Sequence, residues 1–439
     1  MFDVAIIGAG ASGTLTAVQY GRAAKPGARG ALIEAGARAA RGLAYGTPYG
    51  AHLLNVPASR MSALPDDPEH FVRWLRAHLP GANASTFAPR PLYGAYLSEL
   101  LHDEAIAAHV ERVGGTAIGL TRRESVWLVH LGDGRVLEAR NVLLALGNLP
   151  PHDPLHLGDD APVEYVRDPW GAGAVYGLAP DAPVLLVGTG LTMVDLALAL
   201  RAEGHRGPLI ALSRRGRLPR PHATSPPRPI EGTPDLASPR AALRWIRERL
   251  AEGHDFRAVV DSLRSHTPAI WQRWSRAQRA SFLRHARNLW DVHRSRAAPE
   301  VAKAVEEMLA SGALRIERGR LVRLTPVDGG LDVTWRRAGS DEETTLRVAR
   351  AINCTGPATD YARVDLPLVV QLRRNGWLVP DPHGLGVETD PDGRLLDVHG
   401  TPVEGLFTLG TLRRPALWES IAIPEIREQA AALARIFAG

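Results

Sequence analysis

Cysteine occurs once in the 439 residues, as Cys354. A single thiol excludes an internal disulfide, a cysteine-rich metal site and a redox-active cysteine pair, so any electron transfer must come from a bound cofactor. Lysine is almost absent too: Lys25 and Lys303 stand alone among 52 basic residues, against 47 acidic ones. The formal charge of +5 therefore reflects chain-wide use of arginine, and nucleic acid is not an expected partner. Long apolar runs are also missing, because Gly or Asp interrupts each before it could span a bilayer. The chain opens directly into a strand pattern without a basic leader. No membrane association and a cytoplasmic location are the expectation. The remaining composition, 45% hydrophobic and 23% charged, suits a large enzyme of two or three domains.

Glycine, by contrast, is plentiful, and it marks two turns at a constant offset of 180 residues, Gly8 to Gly188. In the first, the apolar strand Val4-Ala5-Ile6-Ile7 runs into Gly8-Ala9-Gly10-Ala11-Ser12-Gly13. Gly8 permits the tight turn, Gly10 lets the backbone approach a pyrophosphate, and Gly13 allows close helix packing. The anion would sit on the free N–H groups of the helix N-terminus. A second strand, Ala31-Leu32-Ile33, ends in Glu34, a carboxylate placed to accept hydrogen bonds from an adenosine ribose. In the second turn, Val184-Leu185-Leu186-Val187 runs into Gly188-Thr189-Gly190-Leu191-Thr192, with Met193 where a third glycine would stand. That helix must start farther from its strand and suits a looser nucleotide. The strand after it ends in Ser213-Arg214-Arg215, which suits a ribose 2′-phosphate and so NADP(H); a solvated arginine pair is the plain alternative. Asp195 reads equally well as a carboxylate favoured by the helix dipole.

The rest of the chain alternates strand and helix patterns. A turn-rich but apolar segment, Gly42 to Leu64, suits a loop packed on a ligand. Amphipathic helices follow Asp67-Pro68 and Arg90-Pro91. Two alternating meanders precede two apolar strands that end in glycine and proline: Val142 to Leu146 before Gly147, and Ala351 to Thr355 before Gly356-Pro357. Each reads as a crossover between nucleotide domains. A Pro-rich stretch from Pro219 to Pro229 leads into helical sequence in which Arg284, Arg287, Asp291 and Arg294 fall close to one helix face. They read as a solvated, self-paired face or as contacts to an anion.

Several of these runs together carry a family likeness: Gly42-Leu43-Ala44-Tyr45-Gly46-Thr47, His52 to Met61, Gly188 to Asp195, Ser213-Arg214-Arg215-Gly216, Trp290 to Arg294, Trp418-Glu419 and Pro424 to Arg427. The chain resembles a bacterial FAD/NAD(P)-binding protein family, itself similar to flavin-containing and N-hydroxylating monooxygenases. The resemblance implies an α/β fold with two Rossmann-like dinucleotide-binding domains, glutathione-reductase-like, and a helical insertion. It divides the chain into an FAD domain (residues 1–160 and 356–439), an NADP domain (161–225 and 313–355) and the insertion (226–312). It implies FAD on Gly8, Gly10, Ala11, Ser12, Gly13 and Glu34, with Asn55 and Val56 near the flavin ring and Gly147 and Gly410 along the cofactor. NADP(H) would lie on Gly188, Gly190, Leu191, Thr192, Ser213, Arg214 and Arg215. Asn55, Met61 and Trp418 are the candidates for the flavin pocket. Thr411 follows Gly410 where many such flavoproteins place an Asp, and residues 151–171 lack the flavin monooxygenases' histidine fingerprint.

The expected activity is an NADPH-dependent FAD oxidoreductase of monooxygenase type, using molecular oxygen on a small nucleophilic, amine or amino-acid, substrate. A reductase or dehydrogenase without oxygen insertion and a non-catalytic redox sensor are the alternatives. No metal is expected.

Overall fold

A computed structural model describes residues 1–36, 39–223, 230 and 236–439; most of the predicted Pro-rich stretch, residues 224–229, lies outside these. The chain opens with β1 (Phe2–Ile7), β2 (Gly30–Glu34) and β3 (Val110–Gly114), then forms a meander of β4 (Ala117–Arg123), β5 (Val126–Leu131) and β6 (Val136–Leu144). It crosses to β7 (Tyr165–Val166), β8 (Val184–Val187), β9 (Leu209–Ser213), β10 (Leu314–Val327), β11 (Gly330–Arg337), β12 (Glu343–Val348) and β13 (Arg350–Asn353). It then returns for β14 (Arg394–Leu396) and β15 (Pro402–Thr408).

Among the described residues these strands make two sheets. The first has the order β14-β15-β6-β1-β2-β3, with β5 on the early half of β6 and β4 beyond it. The second has the order β12-β11-β10-β9-β8-β13-β7. In the first, β15, β6, β1, β2 and β3 run parallel; in the second, β10, β9, β8, β13 and β7 do. Helices cover one face of each parallel array and largely a β-meander the other, which is why Val4–Ile7 and β8 read as unbroken apolar runs and are buried throughout. The sequence-expected crossovers meet: Leu149 and Ala358 form an antiparallel bridge, so the outgoing and returning chain lie side by side between the sheets.

Between β9 and β10 lie the helices Pro239–Ala251, Phe256–Arg264, Thr267–Arg273, Arg276–His285, Arg287–Arg294 and Pro299–Ala310. The last packs Val301, Val305 and Met308 onto the core beside β8. The others lean on the C-terminal segment, where the Trp271 indole N–H donates to Pro415 O at 2.7 Å and its ring stacks on Trp418 at 4.8 Å. The proposed single basic face is corrected here. A break at Ala286 places Arg284 on one helix and Arg287, Asp291 and Arg294 on the next, so the four do not share a continuous face. Among the described residues, no helix is long and apolar enough to cross a membrane.

Candidate functional site

Both glycine turns lie at the carboxyl ends of parallel strands, the edge at which open α/β sheets bind ligands. In the first, Gly8 has φ +104° and donates its N–H to Ile33 O at 2.9 Å; a Cβ there would lie 2.4 Å from the Ala145 carbonyl oxygen. Gly13 is tighter still, since its Cβ would stand 1.8 Å from Gly8 O. The helix Ala11–Ala23 begins at Gly10 with no side-chain cap and no acid in its first turn, leaving its leading N–H groups for an anion. Glu34 braces the turn from the end of β2: one carboxylate oxygen accepts from Ala9 N at 2.9 Å and the other from Gly36 N at 3.0 Å. Each oxygen keeps a further lone pair for a ribose hydroxyl.

The structure gathers further expected residues on this edge. Gly410, at φ +68°, faces Ser12, whose Oγ is 3.2 Å from where a Cβ would be. Thr411, in place of the usual acid, donates its hydroxyl to Gly147 O at 2.9 Å and so ties the ends of β6 and β15 together. Val56 and Met61 are buried in the apolar cluster beneath the turn, while Asn55 is half-buried and its carbonyl accepts from His222 Nε2 at 2.9 Å. Burial, then the charge of Arg296, pushes His222 down from 6.5 to about 4, so the ring is neutral at pH 7 and the bond to Asn55 O fixes the tautomer that carries its proton on Nε2.

Trp418 lies elsewhere, in an aromatic cluster with Trp271, Trp274 and Phe282. Its φ of +60° is unusual for a bulky residue. Glu419 N bonds back to Leu417 O at 2.7 Å, which makes a strained γ-turn. The turn delivers the buried Glu419 carboxylate to Arg294 at 2.7 Å and to the Trp290 indole at 3.2 Å. Arg264 meets Glu425 close by at 2.7 Å. Arg294 thus resolves as a buried link between insertion and C-terminal segment.

The second turn repeats the first with different closures. Gly188 has φ +128°, donates to Leu212 O at 2.8 Å, and would place a Cβ 2.4 Å from Cys354 O. Met193 is fully buried where Gly13 tolerates no Cβ, so the helix Leu191–Ala202 starts farther from its turn. Gly190 caps it without a side chain, and Leu191 and Thr192 open it, half-buried. Ser213 replaces Glu34 as the brace: its hydroxyl meets Thr189 Oγ1 at 2.9 Å and accepts from Gly216 N at 3.0 Å. Arg214 and Arg215 are exposed and make no hydrogen bond or ion pair among the described residues. The Cys354 thiol is buried and pushed well above its ordinary range by burial.

Sequence reasoning missed what joins the two turns. Asp195 is buried and takes both terminal nitrogens of Arg90, at 2.7 and 3.2 Å, while its carbonyl meets His52 Nε2 at 2.8 Å. Burial pushes His52 below its ordinary value. Arg90 opens a helix of the first half and Asp195 belongs to the second, so a buried ion pair clasps the halves. His52 and Asp195 fall within the runs that carry the family likeness, but nothing local pairs Arg90 with a residue 105 positions away.

Residues 5–149 match the family described as FAD-NAD(P)-binding, and that segment is an FAD/NAD(P)-binding domain. No curated protein matches the sequence. Among solved structures, the fold is shared over 100% of this chain with L-lysine 6-monooxygenase from Pseudomonas syringae, covering 99% of that chain at TM-score 0.67 and 16% identity. It is shared over the same extent with the Kutzneria sp. 744 ornithine N-hydroxylase, described with reduced FAD, NADP+ and L-orn, covering 99% of that chain at TM-score 0.65 and 15% identity. Lactococcus lactis thioredoxin reductase is similar more distantly, at TM-score 0.54 and 13% identity, covering 100% of this chain and 98% of that one.

Proposed function

We propose that the chain is an NADPH-dependent FAD oxidoreductase that transfers oxygen to a small amine. The observation that carries this reading is the pair of glycine turns on the carboxyl edges of two parallel sheets, linked by the Leu149–Ala358 bridge and clasped by Arg90–Asp195. Residues 1–160 and 356–439 are taken as the FAD half, 161–225 and 313–355 as the NADP half, and 226–312 as the insertion between.

The first turn fits FAD. Gly8, Gly10, Ala11, Ser12 and Gly13 make a cradle that a Cβ at Gly8 or Gly13 would fill, and an uncapped helix faces it. Glu34 would hold the ribose, Gly147 and Gly410 would flank the middle of the cofactor, and Asn55, Val56 and Met61 would border the ring system. The second turn, with Ser213, Arg214 and Arg215, would hold NADPH. FAD, when bound, supplies acceptance of a hydride from the nicotinamide and the reaction with oxygen. The protein's part is positioning and exclusion of water. His222 holds the Asn55 loop through its ring N–H, Glu34 and Ser213 brace the two turns, and Trp271, Trp274, Phe282 and Trp418 form a dry aromatic wall.

A thioredoxin-reductase type of reaction has no support despite the shared fold, because a lone buried thiol cannot supply a dithiol relay. The relatives named for lysine and ornithine direct the substrate search to amines. In the test, purified yellow protein is mixed anaerobically with NADPH and its flavin absorbance followed; amines are then screened in air for coupled NADPH oxidation, with mass spectrometry of the product. The expected result is bleaching by NADPH and one amine that gains a single oxygen atom. Colourless protein whose melting point neither FAD nor NADPH raises would overturn the cofactor reading. NADPH oxidation that gives only hydrogen peroxide with every amine would overturn the oxygen-transfer reading.

A further inference from the structure

The second sheet ends in an open edge. β12 pairs with β11 on one side and, among the described residues, with no strand on the other. Edge strands template pairing with other chains, and proteins blunt them with short length, bulges or covering groups. The remaining edges of this fold are blunted in these ways. β7 has two residues, and β14 has three with an irregular register. β4 exchanges hydrogen bonds between Leu120 N and O and the Gln371 side-chain amide, at 2.9 and 2.5 Å, and β3 gives its last carbonyl, Gly114 O, to Arg135. β12, by contrast, runs six residues along β11 without a bulge or a proline.

The ladder shows which groups of β12 face outward. In an antiparallel pair, alternate residues turn both backbone groups to the same partner. Arg337 N donates to Glu342 O at 3.1 Å, so by alternation Thr344, Leu346 and Val348 turn theirs to β11. Glu343, Thr345 and Arg347 therefore present N–H and C=O to the open side. Their side chains share one face of the sheet, where Glu343 meets Arg336 at 3.5 Å, Thr345 meets Thr334 at 2.9 Å and Arg347 meets Asp332 at 3.0 Å.

We propose that β12 docks antiparallel on β12 of a second copy of this chain, continuing the second sheet across a two-fold axis at Thr345. Charge selects that register. Outward residues must face outward residues, and with Thr345 opposite its counterpart, Glu343 of each copy lies opposite Arg347 of the other. An axis at Glu343 or Arg347 sets like charges directly opposite, and one at Thr344 or Leu346 sets one of the two charges opposite Thr345. In the chosen register every charge gains a second neighbour of opposite sign: Arg336, Glu343, Arg347 and Asp332 alternate in a row that crosses from copy to copy. The facing pairs exchange about six backbone hydrogen bonds, two for each pair. On the other face Leu346, half-buried at the rim of the core, stands diagonal to its counterpart and is shielded further from water. Such a contact uses the same patch on both copies, as two-fold dimers do.

The test is sedimentation of the flavin-loaded full chain over a range of concentrations. The expected result is a monomer–dimer equilibrium with a dissociation constant on the order of 1 μM, as suits a small interface. Glu343→Arg and Arg347→Glu each set like charges opposite in both ion pairs and should raise that constant about tenfold or more. An equal mixture of the two variants should restore the dimer, because the strand left with two arginines then faces the strand left with two glutamates. Cysteine probes report the register. Cys354 is the lone native thiol and is buried, so Thr345→Cys should cross-link under mild oxidation, whereas Glu343→Cys, about 14 Å from its counterpart, should not. These probes leave Arg347 in place and decide the matter even where a charge reversal unfolds the chain. A wild type that stays monomeric at about 100 μM, a dimer that both reversals leave unchanged, or folded variants that stay monomeric when mixed would each overturn the proposal.

Discussion

The two glycine turns share a backbone plan and differ in what closes them. Each opens with a positive-φ glycine pressed on the carbonyl of a crossover strand, Ala145 in one and Cys354 in the other. In the first turn a third glycine seats the helix against Gly8 O, and a carboxylate holds two backbone amides. In the second, Met193 fills the core where the third glycine would be, and a serine hydroxyl does the bracing. A charge-assisted brace and close helix contact suit a cofactor that stays. A neutral brace, a set-back helix and exposed arginines suit one that exchanges.

The sharpest way to break this contrast is Gly13→Val. With no room for even a Cβ, the variant is expected to lose bound flavin and to destabilise the fold by about 3 kcal/mol or more, read as a colourless protein with a lowered melting temperature. Next in size is the clasp between the halves. Arg90→Ala leaves Asp195 buried and unpaired, and should cost about 3–5 kcal/mol in denaturant unfolding, whereas a matched apolar pair, Arg90→Met with Asp195→Leu, should recover most of the loss. The braces can be compared directly: Glu34→Ala is expected to cost about 2 kcal/mol and to speed flavin release, and Ser213→Ala about 1 kcal/mol with weaker NADPH binding only. Equal effects on the two cofactors would dissolve the contrast.

The smallest effect is one of pH. His222 binds its proton less well folded, at about 4, than unfolded, at 6.5. The unfolded chain thus takes up more protons between these values, and stability falls as pH drops from 6.5 towards 4. For this partly exposed ring the loss is on the order of 1 kcal/mol after solvent screening. His222→Gln, which keeps a donor for Asn55 O, should flatten the fall of melting temperature between pH 6.5 and 4.

Sequence reading reached the turns because they are local: a buried strand, glycines at set spacing and a terminal acid all lie within one β-α-β stretch. It reached the crossovers for the same reason. Arg90–Asp195 and Arg294–Glu419 were out of reach, since a carboxylate on a helix looks alike whether it faces water or a distant guanidinium. The arginine face failed because Ala286 carries no breaker signal, yet the helix stops there. Glu343 and Arg347 are ordinary strand charges until register sets them opposite Arg336 and Asp332.

The place of β15 has a consequence for synthesis. The late half of β6 pairs with β1 on one side and, on the other, with residues 406–408, which leave the ribosome after every strand of the second sheet. Until they arrive, that flank of β6 is a bare edge open to foreign strands, while the nested sheet already has all its members. The half that opens the chain is therefore the last to be finished, and a chain cut short before Pro402 would carry an intact second sheet beside an open first one.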